Sequence, residues 1–216
     1  PDFKLPEEAF YNSEGGVVIA NPNAPTGELL PLEVIRRILE KNPDNVVLVD
    51  EAYIDFGGES AVPLIKEYPN LLVVQTFSKS RSLAGMRIGF AIGDSELITA
   101  LHMVKNSFNS YTLDRLAIKA GVAAFKDREY YEETHSKIIA TRERVTERMR
   151  AMGFIVHDSA ANFIFVSHPD KKASEIFAEL RERGILVRHF NKPRIDNYLR
   201  ITIGTDSDMD HLLLAL

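Results

Sequence analysis

Val46 to Val49 is an unbroken run of β-branched and aliphatic residues, and Leu71 to Val74 repeats it. A strand with one wet face alternates apolar with polar residues. A run without alternation marks a strand covered on both faces, as in a parallel sheet between layers of helix. Val17 to Ala20 and Ile88 to Ile92 read as further strands, and between the first two runs Leu32, Ile35, Ile38 and Leu39 fall on one side of a helix predicted over Leu32 to Lys41. Strands alternating with helices, with few hairpin turns, predict an α/β fold with a mainly parallel sheet. At 216 residues and 45% hydrophobic, the chain can bury a sizeable core.

From Ser95 the character changes. Helices are predicted near Glu96 to Val104, Leu113 to Phe125 and Arg128 to Met152, the last long and heavily charged. Its charges read as a solvated face, and Glu133 with Lys137 has the i,i+4 spacing of an exposed helical ion pair. After Gly153, strands are predicted near Phe154 to His157, Asn162 to Val166, Ile185 to Arg188 and Tyr198 to Ile203. A helix is placed near Ala173 to Arg183 and another after Asp206. This pattern predicts a small α+β domain. The boundary is placed inside the long helix, giving part of a large domain over 1–135 and a small C-terminal domain over 136–216. There are no internal repeats or low-complexity segments.

Several function classes are disfavoured by composition. With 26 basic against 31 acidic residues, a net charge of -5 and no Lys/Arg block, nucleic acid and anionic membranes are unexpected partners. The chain has no Cys, which removes disulfides and thiolate metal sites and suits a reducing cytoplasm. Its six His residues lie far apart, so no metal site is expected. No apolar run approaches the ~20 residues of a membrane helix, and no basic-then-apolar signal pattern opens the chain, so a cytoplasmic location is expected. The chain opens at Pro1 rather than Met and reaches its first strand quickly, which reads as a fragment of something longer.

Three polar segments follow predicted strands at their carboxyl ends, the edge where open α/β sheets place ligands. Asn21-Pro22-Asn23-Ala24-Pro25-Thr26-Gly27 follows the first, and its Pro and Gly spacing would make tight turns whether or not it binds anything. Asp50 follows the second, with Tyr53 three residues on; an Asp there ordinarily caps a turn, and an aromatic ordinarily packs. Thr76-Phe77-Ser78-Lys79 follows the third and leads to Arg87. A loop lysine is usually a solvated cation. Here it stands among hydroxyls and a guanidinium, the donors a phosphate-bearing cofactor needs beside an amine that can act as a nucleophile. A shared sheet edge would bring all three segments together.

In order and spacing, the Asn-Pro-x-x-Pro-Thr-Gly turn, Asp50-Glu51-Ala52-Tyr53, Ser78-Lys79 and Arg87 resemble the aspartate-aminotransferase-type (fold type I) pyridoxal-phosphate enzymes. Within that superfamily three segments are most similar to the histidinol-phosphate aminotransferases: Asp50-Glu51-Ala52-Tyr53-Ile54-Asp55-Phe56, Thr76 to Lys79 with Leu83 to Arg87, and Leu199-Arg200-Ile201-Thr202-Ile203-Gly204-Thr205. The likeness spans nearly the whole chain and corresponds to roughly the last three-fifths of such an enzyme. It implies that Lys79 is covalently joined to pyridoxal 5'-phosphate and later moves the proton at the substrate α-carbon. It implies that Asp50 keeps the pyridine nitrogen protonated, that Tyr53 donates to the phenolic oxygen, and that Thr76, Ser78 and Arg87 hold the phosphate. Arg200 matches the arginine that grips a substrate carboxylate, and Arg188 looks like a second substrate arginine suited to a phosphate; each would by default be a surface residue. One departure is Ala24, where most relatives carry an Asn bonded to the phenolic oxygen; Asn23 is the candidate to reach in instead.

The resemblance implies a homodimeric aminotransferase of histidine biosynthesis, interconverting L-histidinol phosphate and 2-oxoglutarate with imidazole-acetol phosphate and L-glutamate. Two alternatives stand beside it: a pyridoxal-phosphate-dependent decarboxylase of an amino-acid phosphate such as threonine phosphate, and an inactive fragment. The second follows from the family's N-terminal elements, which this chain does not contain and which include the aromatic that stacks on the cofactor ring.

Overall fold

The computed structural model describes residues 2–216 and gathers the apolar runs into two sheets. In the first, β1 (Val17–Ala20), β2 (Val47–Asp50) and β3 (Leu71–Thr76) are parallel neighbours, and β4 (Gly89–Gly93) runs antiparallel beside β3. The crossover between β1 and β2 is helix α1 (Leu32–Glu40), which buries Ile35, Ile38 and Leu39. They pack on Val17, Ile19, Val47, Val49, Leu71 and Val73, the inward residues of the three parallel strands. At about 1.5–3 kcal/mol for each fully buried aliphatic side chain, this contact is what holds the sheet's covered face.

Three helices then run in series: α2 (Ser95–Phe108), α3 (Arg115–Lys126) and α4 (Arg128–Ala151). Each starts on an aspartate whose carboxylate accepts a first-turn N–H: Asp94 from Glu96, Asp114 from Ala117, Asp127 from Tyr130. Helix α2 continues four residues beyond the expected Val104, to Phe108. The expected exposed pair on α4 is present, with Lys137 Nζ 2.5 Å from Glu133 Oε1.

The second sheet is antiparallel throughout, in the order β5 (Ile155–Val156), β6 (Phe163–Ser167), β8 (Leu199–Thr202), β7 (Arg188–His189). Helices α5 (Ala173–Glu182) and α6 (Asp206–Ala215) accompany it, α6 opening on a reciprocal cap between Thr205 and Asp208. Its core joins Ile164, Val166, Leu199 and Ile201 of the sheet to Leu180, Met209 and Leu212 of these helices and to Val145 and Met149 of α4. The strand expected over Ile185 to Arg188 shrinks to Arg188–His189. Ile185 gives its N–H back to Leu180 O at the end of α5 at 2.9 Å, after a left-handed Gly184 (φ 77°), so the ladder starts later.

Helix α4 ties the two sheets together. While Val145 and Met149 enter the second core, buried Arg142 donates from Nη1 to Phe56 O at 2.7 Å and to Ala161 O at 2.9 Å, one carbonyl from each side. Among the described residues no helix is long and apolar enough to cross a membrane.

Candidate active site

Parallel register brings Ala20 beside Asp50 and Asp50 beside Val74, so β1, β2 and β3 release their chains at one edge. Two backbone bonds extend the ladder past the strands, Asn21 N to Asp50 O at 2.9 Å and Glu51 N to Val74 O at 2.8 Å. Asp50, Thr76, Ser78 and Arg87 then line a single cleft of about 290 Å³ at that edge, floored by Ala52, Val74 and Gly89. Four of the sequence-predicted residues are thus brought together at one sheet edge.

Their hydrogen bonds leave specific atoms available. Asp50 Oδ1 accepts the Ala52 N–H at 3.0 Å, while Oδ2 takes no protein donor among the described residues. Thr76 Oγ1 donates to Ser78 Oγ at 2.9 Å and accepts the Ser78 N–H at 3.1 Å, folding the loop after β3 back on itself. Arg87 has a left-handed backbone (φ 54°) at the end of a short turn over Ala84–Met86, and its Nη1 donates to Ala84 O at 3.0 Å. Next in the chain after Ser78, Lys79 has an exposed side chain whose Nζ lies 5.2 Å from the centre of the half-buried Tyr53 ring.

From Tyr53 an aromatic path leads to the predicted substrate arginines. The Tyr53 ring meets Phe163 edge-on at 5.2 Å, and the Arg200 guanidinium stands 5.1 Å from the Phe163 centroid and 5.9 Å from that of Phe190. Arg188 pairs directly with Arg200 across β7 and β8 and reaches the Phe190 ring at 5.6 Å. Arg200 Nε is buried and has no hydrogen-bond partner among the described residues. An unmet buried donor costs on the order of 1–3 kcal/mol, more when charged, so the site keeps a standing demand for an acceptor.

Asn23 goes elsewhere. Its Oδ1 accepts the Thr26 hydroxyl at 3.0 Å, and it lines a larger cleft of about 520 Å³ with Phe3, Lys4, Glu28 and Arg194, not the cleft of Asp50. Ala24 is exposed beside it, in a turn whose Asn21-Pro22 and Ala24-Pro25 bonds are cis. The turn is fixed to the second sheet at Gly27 (φ 82°). A Cβ there would lie 2.3 Å from Ser159 Oγ, and Gly27 O accepts the Ala160 N–H at 3.0 Å.

Sequence reasoning missed four contributors. Phe163 and Phe190 carry the arginines, and their apolar type gave no sign of it. Glu51, 2% exposed, accepts from Ala61 N (2.6 Å), Ser60 Oγ (2.7 Å) and Gln75 Nε2 (2.7 Å), bracing the segment that bears Asp50 and Tyr53. Burial pushes its carboxyl above the ordinary 4.5 against the pull of these three donors. Arg142 lay hidden among the many charges of α4.

The donor set fits a phosphorylated pyridine ring. A carboxylate oxygen is available for a ring nitrogen, two hydroxyls and a guanidinium for a phosphate, and the amine of the residue after Ser78 for an aldehyde. Among the described residues there is no cluster of three or more His, Asp or Glu that could hold a metal ion.

Comparison with known proteins agrees with this chemistry. The family described as aminotransferase class I and II matches residues 2–216. The chain is 60% identical over 212 residues to a histidinol-phosphate aminotransferase of Clostridium acetobutylicum, covering 98% of this chain and 60% of that one. It is 56% identical over 216 residues to the enzyme of the same name from Aromatoleum aromaticum, again 60% of that protein. Among solved structures it resembles histidinol-phosphate aminotransferase from Sinorhizobium meliloti in complex with pyridoxal-5'-phosphate, with a TM-score of 0.83 and 30% identity over 95% of this chain and 56% of that one. The chain therefore spans about three-fifths of the length of the relatives it matches.

Proposed function

From the premise that this chain belongs to the aminotransferase class I and II family, we propose that the protein containing it is a pyridoxal-phosphate-dependent histidinol-phosphate aminotransferase. It passes an amino group between L-glutamate and imidazole-acetol phosphate, giving 2-oxoglutarate and L-histidinol phosphate. The observation that carries the reading is the single cleft lined by Asp50, Thr76, Ser78 and Arg87, with Lys79 next in the chain after Ser78 and its amine 5.2 Å from the centre of the Tyr53 ring. Identities of 55–60% to proteins of that name support the substrate assignment.

Bound in this cleft, pyridoxal phosphate supplies an aldehyde that captures an amine and a ring that takes up the electron pair left at the α-carbon. Asp50 holds a proton at the ring nitrogen through its available oxygen. Thr76, Ser78 and Arg87 hold the phosphate, Arg87 as a fork of charge-assisted donors, and so fix the ring against Asp50. Tyr53 donates its hydroxyl to the ring's phenolic oxygen. Lys79 Nζ would hold the cofactor's aldehyde as a nucleophile and would serve as the general base for the substrate α-proton.

Arg200 meets the α-carboxylate of glutamate, which supplies the acceptor its buried Nε lacks. Histidinol phosphate has no carboxylate there, so Arg188, beside Arg200 in register and more exposed, takes its phosphate. The working protein on this reading is a cytoplasmic homodimer.

Borohydride reduction of the full-length protein after incubation with pyridoxal phosphate, followed by peptide mapping, should leave the label on Lys79. An unlabelled Lys79 overturns the assignment. Product analysis then separates the two chemistries: 2-oxoglutarate from glutamate is expected, and carbon dioxide released from an amino-acid phosphate would replace the transaminase by a decarboxylase.

A further inference from the structure

The proposed function leaves unexplained how Lys79 is aimed. Its side chain is exposed and long, with about 2 kcal/mol of rotamer entropy, so the backbone on either side must set where the amine can go. That backbone is tied down on both flanks. Phe77 is buried and Ser80 is 4% exposed, while Phe77 O accepts the Leu83 N–H at 3.0 Å and Lys79 O accepts the Ser82 N–H at 3.1 Å.

Ser80 Oγ donates to Asp55 Oδ2, and Asp55 sits in the 3-10 turn Ile54–Phe56 just after Tyr53. The Tyr131 phenol of α4 faces the same carboxylate; burial first and Asp55 second raise its pKa well above the usual phenol range, so it stays protonated. Next along the loop, the Arg81 guanidinium lies 4.1 Å from the Tyr131 ring centre and donates to Ala124 O at 2.9 Å. A part-buried serine–aspartate pair gains little net stability over an apolar pair of similar shape, since both groups lose water to form it. What it supplies is direction. The bond runs between the segment carrying Asp50 and Tyr53 and the residue directly after Lys79.

Resting on the function proposed above, we infer that Asp55 is a positioning residue: through the Ser80 hydroxyl it sets the distance between the loop that faces the cofactor ring and the loop that bears the Lys79 amine. It touches neither substrate nor cofactor.

The test uses the full-length protein with Ser80→Ala, Asp55→Ala and the conservative Asp55→Asn, whose amide oxygen still accepts from Ser80. In the pyridoxal-phosphate-loaded enzyme, exchange of the glutamate α-proton with solvent should slow about tenfold to a hundredfold in Ser80→Ala and Asp55→Ala, the loss expected for misplacing a reacting group by about 1 Å. The KM for glutamate should stay within about twofold, because substrate binding is carried elsewhere. Asp55→Asn should recover most of the rate. In the cofactor-free protein, hydrogen exchange at the Ser82 and Leu83 amides should quicken in the two alanine variants. If Asp55→Ala does not fold, Ser80→Ala alone decides, since it removes one donor and leaves the Asp55 carboxylate in place. A Ser80→Ala enzyme exchanging the α-proton at the unmutated rate, or losing rate and KM together, overturns the inference while leaving the labelled lysine intact. An unlabelled Lys79 in the unmutated protein overturns both.

Discussion

The two sheets present their polar groups in opposite ways. At the parallel edge nearly every buried polar atom is spoken for: Glu51 meets three donors, Ser80 meets Asp55, and Thr76 and Ser78 bond to each other. On the antiparallel sheet Arg200 rests on two aromatic rings with its Nε unmet. A satisfied network is rigid before any ligand arrives, as befits a cofactor that stays. An unsatisfied guanidinium holds back part of its interaction energy for an anion that comes and goes.

The comparison breaks most visibly at Lys79. Lys79→Ala removes anchor and base together, and transaminase turnover should fall by at least about 10⁴-fold, with no borohydride-fixed label. A variant retaining even a hundredth of the activity would place the chemistry elsewhere. On the other sheet the expected loss is smaller and of a different kind. Arg200→Met should lower kcat/KM for glutamate by about 10²-fold. It should also stabilise the ligand-free protein by about 1 kcal/mol, because an unmet buried donor disappears. Thermal melting reads the second effect, and a destabilised Arg200→Met would mean the guanidinium is already satisfied.

Between the sheets, Arg142→Met tests whether the two halves depend on one buried cation. Its loss leaves the Phe56 and Ala161 carbonyls without their donor, and Glu143, bonded by Arg142 Nη2 at 2.9 Å, loses its partner at the surface. Denaturant unfolding should show a destabilisation of about 3 kcal/mol, the magnitude of removing one partner from a buried charged network.

Much of this arrangement was legible in the chain. Unbroken β-branched runs fixed β2 and β3 because a strand covered on both faces leaves few other solutions, and the residues at their ends became neighbours as soon as the strands were parallel. Arg188 and Arg200, twelve positions apart, were legible as a pair only through family resemblance, since their adjacency depends on β7 and β8 pairing in one register. Phe163 and Phe190 were opaque because an aromatic that carries a guanidinium looks like one that fills a core. Asn23 was expected near the cofactor on sequence proximity to Ala24, yet a turn reverses direction within a residue, and its side chain serves Thr26. The short β7 was misjudged because a glycine-ended helix claims the N–H of Ile185 that the ladder would need.

The smallest effect probes whether the parallel edge is as fully satisfied as its bonds imply. The Glu51 carboxyl sits above 4.5 in the folded protein because burial outweighs the donors it accepts. With its folded value raised, the native state binds the proton more tightly than the unfolded chain. Its stability contribution is therefore complete below the unfolded value and declines as pH rises from about 4.5 through the folded value. Glu51→Gln removes that titration. Its oxygen can keep the Ala61 N–H, and its amide can donate to Ser60 Oγ and to a flipped Gln75, so each neighbour retains a partner. The variant should gain on the unmutated protein steadily as pH is raised above 4.5 in equilibrium unfolding. A difference that stays flat with pH would mean that the three donors fully offset the burial of the charged carboxylate, so that its value is not raised by folding.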